Sequence, residues 1–371
     1  MEKQQKKFSI RELISLISPV LINPTKTSLT VSLSKRFLLF QILGKLTQKI
    51  EDDPYLNFIS ILKNYKVLGK ILNGTVYEFH RDRNKLYFKN FFIEKEVWEL
   101  VKQDLEWLVH ENENTQDIRM TLTKRGVIIY DNYKKHNFNL LLMTIHGGTW
   151  MPKDIQKKMF LTKEERYKEE DIATNRIYSK LVLRKGGIWI DNKQSRFACD
   201  FNRNPSRCVY KDGSETWIEK IWKEELDGRE LRQLYESYNE FYFTMANLVD
   251  AYNFNIIIDC HTMKDVDNRP NVSFGTKYTS TFYMPILLSI KKKLQELRYN
   301  HIAFDKPFAG SYIVQWLNHK FPHAFIFSIE LSKKLYMNKK RDKIFNAKLR
   351  KLSEDITKIF DIEVDAEELV V

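Results

Sequence analysis

The stretch Phe254-Asn255-Ile256-Ile257-Ile258-Asp259-Cys260-His261-Thr262-Met263 decides the fold. Its β-branched run reads as a strand buried on both faces, the kind found inside a parallel sheet. Open α/β sheets bind their ligands beyond the carboxyl ends of such strands. The imidazole of His261 is therefore delivered to a ligand-binding edge, with Asp259 two residues before it. Towards the N-terminus, Leu140-Leu141-Leu142-Met143-Thr144-Ile145 is apolar and runs at once into His146-Gly147-Gly148-Thr149. Two strand-end histidines, the first beside glycines that let a loop approach a ligand closely, point to a metal site across one sheet edge. Towards the C-terminus, Ala324-Phe325-Ile326-Phe327-Ser328-Ile329-Glu330-Leu331 places a carboxylate at the close of an apolar strand. Burying that group is costly unless it is paired or functional, which makes Glu330 a candidate general base for a metal-activated water. The competing reading pairs it with Lys333 or Lys334.

A lone histidine is more often structural than ligating, but two at equivalent strand ends favour Zn²⁺, whose hydrolytic sites use three protein ligands plus water. Glu170 and Asp171 lie between the histidines and offer the third. They also fit the acidic start of a helix, where the dipole favours them, and spacing alone leaves both readings open. Further on, Arg196, Asn202 and Arg203 fall within eight residues. Guanidinium groups recognise carboxylates bidentately and stabilise a developing oxyanion. Against this stands an ordinary charged surface loop, since Asn204-Pro205 marks a turn.

Around these motifs strands alternate with helical stretches. Strands are expected over 127–130, 140–145, 189–190, 254–258, 302–304 and 324–329, and helices over 168–183, 231–251, 284–297, 312–320 and 341–360. The alternation argues for a largely parallel or mixed sheet with helices on both faces. The first 115 residues lack the strand-end histidines and paired glycines; they carry helical periodicity over 37–50 and 93–109 and a hairpin around the polar run 80–85. The polar stretch 111–116 is the expected boundary between an N-terminal accessory region, residues 1–115, and a catalytic domain, residues 116–371. The acidic end, 361–368, reads as a solvated tail.

With 371 residues, 43% of them hydrophobic and 13% aromatic, the chain has the composition of a globular protein. Three cysteines without a CxxC indicate a reducing compartment. No stretch reaches the ~18 apolar residues of a spanning helix, and the N-terminus lacks a signal-peptide core, so a soluble, cytoplasmic protein is expected. The net charge of +13 raises nucleic-acid binding as a function. The lysines, however, sit in short scattered clusters without a nucleic-acid motif, and charge alone specifies no site.

Taken together, the motifs resemble the N-formylglutamate amidohydrolase family. They are His146-Gly147-Gly148-Thr149 with Pro152; Glu169, Asp171, Thr174 and Arg176; Arg196 with Asp200, Asn202 and Arg203; and Asp259-Cys260-His261-Thr262-Met263. Arg269-Pro270 with Phe274-Gly275, Pro307-Phe308 with Gly310 and Tyr312-Ile313, and Glu330 with Tyr336-Met337 complete the set. Their order follows the family along residues 139–340. The resemblance implies a three-layer α/β/α sandwich with a central mixed sheet, shared with carboxypeptidases and aspartoacylase, behind a mainly helical N-terminal extension. It implies one Zn²⁺ per chain. It also implies that Arg196, Asn202, Arg203 and Tyr312 bind substrate, that Arg196 polarises the scissile carbonyl, and that Glu330 is base and proton shuttle. Carboxypeptidases and aspartoacylase carry a glutamate three residues after the first histidine, where this chain has Thr149. Threonine is a poor zinc ligand, so the expected metal set is His146, Asp171 and His261.

The function expected on these grounds is a zinc amidohydrolase acting on a small N-acyl amino acid, such as N-formylglutamate, or on a peptide terminus. The alternatives are a carboxypeptidase-like zinc peptidase and a basic nucleic-acid- or protein-binding module on a degenerate hydrolase scaffold. Neither nucleic acid nor membrane is the expected partner, and the oligomeric state is not written in the chain.

Overall fold

The computed structural model describes residues 139–360 apart from 212–217 and 267, with the shorter stretches 28–32, 80–82, 85–87, 119–123 and 125–132 and positions 97, 100, 103, 104 and 107. The chain divides into two units, Met1–Tyr130 and Asp131–Val371. In the first unit, β1 (Ser28–Ser32) pairs antiparallel with β4 (Arg119–Thr123). A two-stranded ribbon joins β2 (His80–Asp82) to β3 (Lys85–Tyr87), so strand pairing begins within the run 80–85 expected to be the turn, while the expected first strand, 75–79, lies outside the described residues. Positions 97, 100, 103, 104 and 107 are helical, as the periodicity of 93–109 predicts. The expected helix over 37–50 and the acidic end lie outside the described residues. The division falls later than the polar stretch 111–116, because pairing with Ser28–Ser32 draws Arg119–Thr123 into the first unit.

The division itself lies on β5 (Val127–Asn132), followed in the second unit by β6 (Leu140–Thr144), β7 (Gly187–Asn192), β8 (Ile256–Met263), β9 (Val272–Gly275), β10 (Ile302–Phe304) and β11 (Phe325–Ser332). Within the second unit the strands lie in the order β7-β6-β8-β11-β9-β10. The pairs β6–β7, β6–β8 and β8–β11 are parallel, while β9 runs antiparallel to β11 with β10 parallel to it, so the sheet is mixed. Helices α1 (Lys153–Lys158), α2 (Lys163–Glu169) and α3 (Thr174–Lys185) connect β6 to β7, and α4 (Gly228–Ala251) connects β7 to β8. Later come α5 (Met284–Glu296), α6 (Tyr312–Lys320) and α7 (Asn346–Lys358).

The first crossover steps from β6 to its neighbour β7, and the second steps back across β6 to β8. Parallel crossovers are right-handed, so two steps in opposite directions put α3 and α4 on opposite faces of the sheet. The fold is therefore layered α/β. The order in which strands are added reverses at β6, which makes the carboxyl ends of β6 and β8 a topological switch point, where such sheets open a crevice. α3 packs against β6, β7 and β8 and against α7. Local signals agree with this course. Thr162 and Glu165 form a reciprocal capping box at α2, and Asp227 and Glu230 form another at α4.

The core sits in the central strands. Every residue of β6 and of β11 is buried, and Leu141, Leu142, Trp189, Ile257, Ile326 and Phe327 expose nothing. Each such aliphatic or Phe side chain contributes about 1.5–3 kcal/mol through burial, which explains why the apolar runs were legible as strands. Two expectations shift. β8 does not stop at Ile258 but runs to Met263, because β11 pairs with it residue for residue as far as Ser332↔Met263. The helical stretch over 168–183 is broken: α2 ends at Glu169, α3 begins at Thr174, and Ala173 between them has φ +66°.

Candidate active site

The crevice at the switch point is a cavity of about 320 Å³ lined by His146, Asp171, Arg196, Asp200, Asn202, Arg203, Asp259, His261 and Glu330, and also by Met263, Lys264, Arg269, Phe308 and Ser311. His146 lies two residues past β6, and His261 is inside β8. Asp259 and His261 are two apart on one strand and share a face. Across the parallel ladder Ser328 pairs with Asp259 and Glu330 with His261. The register thus aligns four polar side chains on one patch of an otherwise apolar sheet.

The paired glycines have a different use from the one expected. A Cβ on Gly147 would stand 2.6 Å from the Thr174 hydroxyl, and one on Gly148 would stand 2.3 Å from the Lys193 main chain. The space they leave is filled by the protein itself. Trp150 N donates to Lys193 O and Ser195 N to Trp150 O, tying the loop after β6 to the segment after β7.

Among the described residues, one group of side chains has metal-holding geometry. Ligand atoms of His146, Asp171 and His261 lie within 4.8 Å of one another, and all three residues are buried. The ring centroids of the two histidines are 4.7 Å apart. His146 Nε2 is 2.7 Å from Asp200 Oδ1, and His261 Nε2 is 2.9 Å from Asp259 Oδ2. Each imidazole is oriented by a carboxylate on one nitrogen and turns Nδ1 towards Asp171, at 3.8 Å from His146 and 2.9 Å from His261. Carboxylates behind the rings are the usual support of metal-binding histidines. His146 Nδ1 and Asp259 Oδ1 are buried without a hydrogen-bond partner. Buried orphans of this kind are rare, and here an imidazole nitrogen is left over at the centre of a His-Asp-His group. The donor set fits a divalent cation.

The electrostatics point the same way. Burial alone would raise the carboxyl of Asp200, but Arg196 and His146 beside it hold it well below the usual range. Asp171 and Asp259 are likewise lowered against burial, mainly by His261. Burial and Arg196 lower His146, whereas Asp259 and Asp171 overcome burial and raise His261 well above its ordinary value. Burial, reinforced by Asp171 and Asp259, pushes Glu330 up to about 8. The carboxylates of Asp259 and Asp171 thus draw a proton onto His261.

Asp200 enters the sequence reading only as part of a family motif, without a role, yet it is the hub. It accepts from His146, from Arg196 Nη2 at 2.8 Å, from the Tyr210 hydroxyl at 2.5 Å and from Asn202 N at 2.9 Å. Its i, i+4 spacing from Arg196 was the available signal. Asp259 is the second missed orienting group; it accepts from Asn202 Nδ2 at 3.0 Å and from Ser311 Oγ at 2.8 Å. Asn202 therefore spends its amide on Asp259 and takes Ile313 N on its carbonyl oxygen, at 3.3 Å. Arg196 and Arg203 both reach the cavity, Arg203 lying over the Tyr210 ring at 4.5 Å. Tyr312 packs edge-on against Tyr242, while its neighbour Ser311 lines the cavity. Tyr178 from α3 donates to His261 O at 3.1 Å, bracing β8 at the height of the site.

Asp171 lies in the break between α2 and α3. The residue before α3 is Ala173, which makes no side-chain cap, and the Asp171 carboxylate instead meets His261 Nδ1 and Thr262 N. Glu170 faces away, accepting from Arg166 at 3.0 Å and Ser195 at 2.5 Å. Lys333 does not pair with Glu330; its Nζ donates to main-chain carbonyls. If Asp171 holds a divalent cation, Asp171→Asn should weaken its binding sharply, because it removes an anionic oxygen while keeping size. Zinc occupancy measured on the purified variant checks this, and full occupancy would take Asp171 out of the ligand set.

A crevice at the switch point of an α/β sheet, with two oriented imidazoles and a buried carboxyl, has the residue types of a hydrolytic enzyme. The family model for N-formylglutamate amidohydrolase matches residues 138–337, and the chain belongs to that family; it is a hydrolase acting on amide bonds. Among solved structures, it is similar to N-formylglutamate amidohydrolase from Ralstonia eutropha JMP134, at 17% identity and TM-score 0.49, over 60% of this chain and 91% of that one. A gene product from Agrobacterium tumefaciens is similar at 14% identity and TM-score 0.46, over 63% and 93%. A metallo-carboxypeptidase from Burkholderia cenocepacia gives 9% identity and TM-score 0.32, over 63% and 60%. The curated proteins give no match. No helix among the described residues is long and apolar enough to cross a membrane.

Proposed function

We propose that this protein is a zinc-dependent amidohydrolase that cleaves the amide of an N-acyl amino acid, with N-formylglutamate as the substrate named by its family. The observation that carries the reading is the buried His146–Asp171–His261 group with an unpartnered His146 Nδ1, beside a Glu330 carboxyl raised to about 8. These three residues would hold one Zn²⁺. Zinc held there supplies Lewis-acid chemistry, activating water near neutral pH.

The chain's own residues do the rest. Glu330 takes the proton of the attacking water as the oxygen adds to the amide carbonyl, and returns it to the leaving nitrogen as the C–N bond breaks. The ionised carboxylate of Glu330, which accepts the first proton, would be favoured by a cation held beside it. Arg196, held by Asp200 and by the Tyr210 hydroxyl, offers a fixed positive charge to the developing oxyanion. Arg203, a quarter exposed, is the group proposed to receive the carboxylate of the substrate. Asn202 supports the site through Asp259 and the first turn of α6. The role proposed for Tyr312 is indirect, through its packing on Tyr242. The N-terminal unit is proposed as an accessory region. A cytoplasmic location agrees with three unpaired, buried cysteines.

Wild-type enzyme compared on an N-acyl amino acid and its methyl ester tests the substrate class. The free acid should have much the higher kcat/KM. Arg203→Ala should raise KM for the acid far more than for the ester, and Arg203→Lys should rescue only in part, because a point charge does not reproduce the guanidinium fork. Equal kcat/KM for acid and ester would remove carboxylate recognition from this loop. Steeply salt-dependent nucleic-acid binding, lost in either arginine variant, would favour the binding-module alternative instead.

A further inference from the structure

Lys333 is a lysine with its whole side chain inside the protein, 1% exposed. An ammonium is rarely buried so fully without an acid to meet it. Its Nζ donates to Lys168 O at 2.8 Å and to Glu170 O at 2.6 Å, both main-chain carbonyls. Three residues further on, the fully buried Tyr336 donates its hydroxyl to Ile172 O at 2.7 Å. The grip thus falls on alternate carbonyls, 168, 170 and 172, on either side of Asp171.

The segment so held has no regular structure of its own. It runs from the end of α2 through Ala173 at φ +66°, a left-handed conformation unfavourable for a residue with a Cβ. Asp171 itself has Thr174 Oγ on its carbonyl at 2.8 Å and gives its N–H to His146 O at 3.2 Å. The carboxylate is thereby aimed at His261 by its backbone, and that backbone is fixed from the turn that follows β11. Glu330 and Lys333 lie three residues apart at the end of the same strand and the turn that follows it. One short stretch therefore carries the proposed base and the clamp on the proposed ligand.

We propose that Lys333, seconded by Tyr336, is a positioning residue that sets the Asp171 carboxylate for the metal; the inference rests on the reading of Asp171 as a zinc ligand. Residues that orient ligands typically cost 10–100-fold in metal affinity when replaced. The test is zinc affinity of the full chain, measured by competition with a chromophoric chelator after metal removal, alongside the melting temperature of the zinc-free protein. Lys333→Met should lower zinc affinity by about 10–100-fold. Tyr336→Phe should lower it by less, and Lys333→Arg should recover part of the loss. In the Asp171→Asn background Lys333→Met should cost no further affinity, since residues acting as one unit are not additive. Wild-type affinity in Lys333→Met overturns the proposal, as does an equal loss with and without Asp171. If Lys333→Met does not fold by circular dichroism, Tyr336→Phe decides: unchanged affinity overturns the clamp. The underlying reading fails elsewhere, in a wild-type chain without zinc affinity or an Asp171→Asn variant that binds as wild type does.

Discussion

His146→Ala and His261→Ala should each reduce zinc from one per chain to none and bring hydrolysis down to the uncatalysed background. Both imidazoles present Nδ1 to the Asp171 carboxylate, and a three-ligand site stripped of one ligand keeps only two protein donors. Without the cation, the Lewis-acid chemistry it would supply to activate water near neutral pH is lost. The two variants leave different neighbours behind. In His146→Ala, Asp200 still has Arg196 and Tyr210 as donors; in His261→Ala, Asp259 keeps Asn202 and Ser311. Both should therefore fold, which circular dichroism checks, while elemental analysis of the purified protein reads the metal. Stoichiometric zinc retained by the double variant would sink the assignment.

Glu330→Gln should keep zinc and fold but turn over about 10²–10⁴-fold more slowly, the usual worth of a positioned general base. The amide fills the same volume between β8 and β9 and cannot accept the proton of the attacking water. Because the ionised form is disfavoured by burial, replacing the acid by a neutral amide should not destabilise the protein. A loss confined to kcat, with KM little changed, is the signature of a group acting in the transition state. Unchanged turnover would move the role to Asp259, whose Oδ1 is buried without a partner.

How much of this was legible in the chain follows from which forces act locally. The runs 140–145, 254–258 and 324–329 declared themselves as strands because burial on both faces of a sheet demands continuous apolar sequence. His146, His261 and Glu330 were visible because polar groups at the close of such runs are conspicuous. The order of motifs along 139–340 carried the family, and the family match covers 138–337. Asp171 was visible only as one of two readings. Choosing between ligand and helix cap depends on where a helix breaks, and that break is held by Lys333 and Tyr336, more than 160 residues away in sequence.

The roles of Asp200 and Asp259 were hidden for the same reason. An orienting hydrogen bond is set by distance in space, and His146 meets Asp200 across 54 positions of sequence. The glycines after His146 looked like room for a ligand, and it is Thr174 and the Lys193 main chain that occupy the room. By itself, then, the sequence determined what short-range physics writes: the buried strands, the alternation that makes an α/β fold, and the residue types able to bind a metal and move a proton. The tertiary structure alone decided which of those residues meet. Parallel register aligned Glu330 with His261, pairing of β6 beside β8 brought His146 to the same edge, and a buried lysine fixed the backbone that aims Asp171. Each of these depends on hydrogen bonds and packing between segments far apart in sequence, to which local periodicity is blind.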